Sequence, residues 1–146
     1  MTTAYFTHPI CIKHDPGPGH PEQPARLIAV NEALADAPFD KLLRAEAPEA
    51  TTEQLERIHG GAYVASVLAA VPDEGYRSLD PDTALSPASG EAALRAAGGV
   101  CAAIDWVAAG KAGNAFCAMR PPGHHAEASQ AMGFCLFNNI AVGARH

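Results

Sequence analysis

Asn114-Ala115-Phe116-Cys117-Ala118-Met119, followed at once by Arg120-Pro121-Pro122-Gly123-His124-His125, is the stretch that decides how this chain folds. The first six residues are a short apolar run of the kind a buried strand presents. The next six cannot continue it, because the two prolines fix φ and withhold amide donors, while Gly123 admits a close backbone approach. A strand ending in a rigid, glycine-bearing loop is where open α/β sheets place their ligands, outside the carboxyl ends of the strands. Two adjacent imidazoles there supply acid, base or metal-ligand capacity near neutral pH, and catalysis needs them rigidly placed. Taken alone, such a pair is more often two loop side chains satisfied by local hydrogen bonds.

Downstream, the loop runs to Gly133 and an apolar segment begins at Phe134; Phe137 to His146 reads as a helix with no glycine cap, proline or polar tail. Upstream lies the longest expected helix. Ser89 is its expected cap, Ala97, Cys101, Ile104 and Ala108 form its apolar stripe, and Gly110 and Gly113 mark its end. Gly98-Gly99 inside it is expected to weaken it by about 1 kcal/mol each relative to alanine. Asp73 to Pro87 reads as loop. Thr51 with Gln54 has the form of a capping box opening a short helix through Ile58, and Gly60-Gly61 separates it from a second helical run ending before Pro72. Pro24 suits the first position of a helix that presents Leu27, Val30 and Leu34 on one face until Pro38. Ala4 to Thr7 is β-prone and leads into the Pro- and Gly-rich loop His14 to Pro21. Helices alternating with short apolar strands predict an α/β fold with an open, mostly parallel sheet. Two or three strands make a poor parallel sheet, so further protein is expected beyond His146.

The composition suits one compact domain of 146 residues, 48% hydrophobic and 18% charged. A formal charge of -6 excludes non-specific nucleic-acid binding, which needs a basic surface. No basic, apolar leader opens the chain and no apolar run approaches the roughly 18 residues of a membrane span, so a cytoplasmic protein without membrane contact is expected. Cys11, Cys101, Cys117 and Cys135 are widely spaced without a C-x-x-C pair, and reduced, mostly buried thiols are the expectation.

Arg120 to His125 followed by Gly133-Phe134-Cys135-Leu136-Phe137-Asn138-Asn139 resembles the active-site signature of class II histone deacetylases and their bacterial deacetylase-like relatives. His14 to Glu22 with Pro24, Arg26 and Leu27 resembles that family's first loop, and Leu79-Asp80-Pro81-Asp82-Thr83 with Ser86-Pro87 resembles its substrate-rim loop. The blocks occur in the family's order and span essentially the whole chain. The resemblance implies a fold of the arginase-deacetylase type, with residues 1–146 as the N-terminal portion of the catalytic domain. It makes His125 the general base that deprotonates a zinc-bound water and His124 the neighbour that stabilises charge and passes a proton. Gly133 and Phe134 would line the narrow channel for the acyl-lysine stem, with a plain core role for Phe134 as the alternative. Asp82 resembles the rim aspartate that accepts hydrogen bonds from substrate amides; Asp80 competes for that role, and an Asx-type turn is the other reading of Asp82. Arg26 resembles a buried arginine at the foot of the pocket that holds released acetate, against a helix-surface salt bridge. Cys135 reads as a buried thiol without catalysis. His14, His20 and Glu22 read as loop structure and rim; His20-Pro21-Glu22 has the form H-x-E but lacks the P-C-x-x-C of zinc deaminases.

The family's cofactor is Zn2+, held by an Asp-x-His pair and a later aspartate, and a catalytic zinc needs about three protein ligands. No Asp-x-His occurs here. The ligands, the carboxylates that orient the histidines and the oxyanion-stabilising tyrosine or histidine are expected beyond His146. The resemblance thus implies a parent enzyme that hydrolyses an acetyl-lysine-type or acetylated-amine amide, taking a lysine, protein or polyamine substrate, with the isolated chain inactive. A non-catalytic module binding an acyl ligand or a partner is the alternative. A metal or redox site built from His124, His125 and Cys135 would require unusual geometry for such close residues. A half-sheet with an exposed apolar edge would be expected to aggregate, recruit a missing half or form a homo-oligomer.

Overall fold

Ala4, Tyr5 and Phe6 are all buried, so β1 (Thr3–Thr7) is covered on both faces, as the central strand of a parallel sheet must be. The computed structural model describes residues 1–146. β1 lies between β2 (Leu43–Glu46) and β5 (Asn114–Cys117) and is parallel to both, with Ala4 opposite Leu43 on one side and Ala115 on the other. The period-2 alternation of a strand sends Tyr5 to one face and Ala4 and Phe6 to the other. Tyr5 meets Cys11 of α1 (Ile10–Lys13) and Leu27 of α2 (Pro24–Ala33). Ala4 and Phe6 pack with Ala103 of α5 (Ser89–Ala108), and Trp106 meets Phe6 edge to face.

The largest apolar cluster joins α3 (Thr52–Glu56), α4 (Gly61–Ala69), α5 and α6 (Asn139–Arg145) through Leu55, Val64, Val67, Ala97, Leu136, Phe137 and Val142. The expected capping box starts α3: Thr51 Oγ1 accepts from the Gln54 amide at 3.2 Å while Gln54 Oε1 accepts from the Thr51 amide at 2.9 Å. No helix is long and apolar enough to cross a membrane.

The structure departs from the sequence expectations at several points. The loop Asp73–Pro87 contains a hairpin of two-residue strands, β3 (Arg77–Ser78) and β4 (Ala84–Leu85). Strand β2 and helix α1 were not predicted; β2 reads Leu-Arg-Ala-Glu and is largely exposed, so it carries no apolar pattern. Helix α2 ends at Ala33 rather than running toward Pro38, and α6 starts only at Asn139. Ala88, not Ser89, occupies the N-cap of α5; the Ser89 hydroxyl is buried and accepts from the Ser86 amide at 2.7 Å. Gly98 does not merely weaken α5, since a methyl group there would collide with the backbone at Pro48 and Ala50. Of the expected stripe, Ala97 and Cys101 are buried, whereas Ile104 and Ala108 line an exposed apolar groove of about 710 Å³ along β5.

Candidate active site

The chain leaves β5 through Ala118, whose amide donates to Phe6, and reaches Arg120, which is only 4% exposed. A buried guanidinium needs a counter-charge. Glu22 supplies it in a two-pronged pairing: Nε to Oε1 at 2.5 Å and Nη2 to Oε2 at 2.7 Å. Arg120 Nη1 also donates to the carbonyls of Cys11 and His14 at 2.8 and 2.9 Å. Burial alone would raise the Glu22 carboxyl, but the facing His14 ring and the hydrogen bonds and charge of Arg120 hold it down to about 2. His14 Nε2 lies 3.6 Å from Glu22, and its Nδ1 is 2.7 Å from the Ser89 hydroxyl.

Beyond Pro121 and Pro122 the loop turns at Gly123, where an added methyl would sit 2.5 Å from the Asn139 amide and 2.6 Å from the Phe137 carbonyl. The returning chain is tied down by its own asparagines. Asn139 Nδ2 donates to Pro121 at 3.3 Å, Asn138 Nδ2 to Ala126 at 2.9 Å, and Asn138 Oδ1 caps α6 by accepting from Ala141 at 3.0 Å. His59, buried beneath, accepts the Asn138 amide at Nε2 and donates from Nδ1 to Ala128. Burial depresses its pKa, and the bond accepted from the Asn138 amide requires an unprotonated Nε2.

Held between these anchors, His124 and His125 stand side by side, ring centroids 4.2 Å apart, with both side chains exposed. They face a cleft of about 690 Å³ whose other walls are Arg26, Asp80, Pro81, Asp82, Pro122, Met132, Gly133 and Phe134. Gly133 and Phe134 both take left-handed backbone, φ 57 and 70. For Gly133 this suits the absent side chain, because a methyl there would lie 2.7 Å from Cγ of His125. Phe134 is held in the strained conformation by its neighbours. Its amide donates to Thr83 Oγ1 at 3.1 Å, the Gly133 amide donates to Asp82 Oδ1 at 3.2 Å, and His20 packs edge-on against its ring at 4.7 Å. His20 Nε2 in turn donates to the Asp82 carbonyl at 3.1 Å.

The family model described as "Histone deacetylase domain" matches residues 20–146, which includes this entire cleft. The chain belongs to the histone deacetylase family. It is 37% identical to the histone deacetylase-like amidohydrolase of Pseudomonas aeruginosa over 96% of this chain and 41% of that protein. It is 32% identical to a probable deacetylase of Archaeoglobus fulgidus, over 97% and 40% of the respective chains. The crystal structure of the HDA15 HD domain superimposes with a TM-score of 0.91 at 34% identity, covering 98% of this chain and 42% of that one. The chain therefore spans well under half the length of these histone deacetylase relatives.

Within this family member the expected residues His124, His125, Asp82, Gly133, Phe134 and Arg26 all border one cleft. The turn reading belongs to Asp80, whose Oδ1 accepts the Asp82 amide at 2.9 Å; Asp82 stands exposed at the mouth. Arg26 differs from both expectations. It is exposed on the first turn of α2 rather than buried, and it makes no ion pair. Glu22 and His14 are not rim residues, being 3% and 2% exposed, because Arg120 draws the first loop inward; His20 alone remains beside the cleft. Cys135 is buried with a thiol that burial pushes up, as a packing residue would be. Arg120, Asn138 and Asn139 stand in the signature without an expected role and His59 outside it; the structure makes all four of them supports. As to zinc, no group of three or more His, Cys, Asp or Glu side chains is placed to hold a metal ion, so residues 1–146 do not by themselves fit the cofactor.

Proposed function

We propose that residues 1–146 supply the proton-handling histidines and the channel wall of a deacetylase that hydrolyses an acetyl-lysine-type or acetylated-amine amide. The observation that carries this reading is the pairing of His124 and His125 at a cleft walled by Gly133 and Phe134, on a loop pinned at both ends. In the proposed step His125 takes a proton as water attacks the amide carbonyl, and a proton is returned to the leaving amine as the C–N bond breaks, giving acetate and the free amine. His124 stabilises the charge on its neighbour. Phe134 offers the methylene stem of the substrate a flat apolar wall without hydrogen-bonding demands. Asp82 keeps Oδ2 to accept from substrate amides, since the hydrogen bonds its carboxylate accepts from Thr83 and Gly133 both use Oδ1. Arg26 is the cation within the cleft for the departing acetate.

The zinc ligands are proposed to lie outside residues 1–146, which makes the 146-residue chain inactive alone. Four free cysteines accord with a reducing, cytoplasmic setting. The test is turnover of an acetyl-lysine peptide and an N-acetylated diamine by the natural polypeptide containing this domain. His125→Ala is expected to lower kcat by about 10²–10⁴-fold. Unchanged kcat in that variant would overturn the assignment, and chelator-sensitive turnover by residues 1–146 alone would overturn the claim of inactivity.

A further inference from the structure

The buried pair Glu22–Arg120 joins residues 98 positions apart in the chain, and it sits at the root of the loop that carries both histidines. Its stabilising value is a poor explanation for it. Desolvating two charges cancels much of their attraction, and an apolar pair of similar volume is often as stable. What the pair does provide is a fixed geometry. Both carboxylate oxygens are engaged by the guanidinium fork, which also grips two carbonyls at the end of α1. Between Arg120 and the imidazoles lie only Pro121, Pro122 and Gly123, and the prolines have little φ freedom with which to absorb a displacement. A shift at the root is therefore carried to the tip.

Glu22 reaches the other wall as well. His20, two residues before it, packs on Phe134 and bonds to Asp82, and the Glu22 amide donates to His20 Nδ1 at 3.1 Å. On its inner side Glu22 meets His14, which continues to Ser89 and from there to the Ser86 amide in the rim loop. One carboxylate thus ties the first loop, the rim loop and the histidine loop to a common point.

We propose that Glu22 is a positioning residue: acting through Arg120, it sets where His124 and His125 stand relative to the Phe134 wall. The inference rests on the proposed function for its catalytic meaning, but its geometric content can be read separately. Two substitutions separate positioning from stability. Glu22→Gln keeps the shape and one acceptor while removing the charge. Glu22→Met combined with Arg120→Met removes the fork without leaving a buried charge behind, the kind of replacement that folding tolerates better than loss of one partner. In protein labelled with ¹⁵N in its seven histidine rings, the His124 and His125 signals are expected to move in both variants, while those of His8 stay in place. In the natural polypeptide, kcat for an acetyl-lysine peptide is expected to fall by about 10²-fold in the double variant, the size of effect a displaced catalytic group produces, with KM within about twofold. A folded variant whose His124 and His125 signals superimpose on the unsubstituted protein's would overturn the inference, as would unchanged kcat. Absence of turnover in the unsubstituted polypeptide would count against the proposed function instead, and the ring spectra would still decide this one.

Discussion

The two sides of β5 are built in opposite ways. At its carboxyl end, the chain passes into a root where Arg120, Glu22, His14 and Ser89 satisfy one another, and no buried side-chain nitrogen or oxygen in the protein lacks a partner. Along its free edge, Phe116 is 48% exposed and Ile140 of α6 is 65% exposed, beside Ile104 and Val107 in the apolar groove. The first region depends on contacts made within residues 1–146; the second is apolar surface of the kind that marks an interface. The anchoring of the loop that carries the histidine pair is therefore internal to this chain, whatever covers the edge.

The sharpest way to break the contrast is Glu22→Ala, which leaves the Arg120 charge buried and unpaired. A loss of about 3–5 kcal/mol is expected from urea unfolding; a loss below about 1 kcal/mol would mean that the root is not clamped. Acid acts on the same region. Glu22 is held below its ordinary value of 4.5, so the stability it contributes is complete above that value and is lost as pH falls toward about 2. His59 is also depressed from 6.5, and its neutral ring contributes stability above that pH which is lost as pH falls below it. Urea midpoints measured from pH 7 downward should fall in both windows, with the first fall absent in His59→Gln; a profile unchanged by that substitution would remove His59 from the account. Smaller again is Gly133→Ala, where a left-handed alanine costs about 1–2 kcal/mol and its methyl presses on His125. It should shift the His125 ring resonance, and an unmoved signal would show that Gly133 does not seat that ring. At the edge, Phe116→Thr and Ile140→Glu should change stability within about 0.5 kcal/mol while reducing self-association in sedimentation. Equal self-association before and after would show that the groove is not the sticky surface.

What the sequence made legible follows the same division. Local signals translated directly: Pro24 opens α2, Thr51 and Gln54 form their reciprocal cap, and the apolar run before Arg120 is a parallel strand. The loop residues His124, His125, Gly133, Phe134 and Asp82 were found through the resemblance, and they share a cleft. The supporting roles were not legible, for a physical reason. A glutamate in a proline-rich loop is ordinarily solvated, and nothing near Glu22 in sequence announces a partner 98 residues later. Arg26 misled in the opposite direction, since helix position alone does not say which way an arginine on a first turn is covered. The short β2 escaped because an edge strand exposed at Leu43, Arg44 and Glu46 has no core face to pattern.

The proposed deacetylase site takes its acid–base histidines from this chain and its metal ligands from elsewhere. Zinc content per chain, measured by elemental analysis on the purified 146-residue protein after dialysis against metal-free buffer, tests it most directly. No retained zinc is expected; about one tightly held zinc per chain would reveal a complete ligand set within these residues and contradict that arrangement.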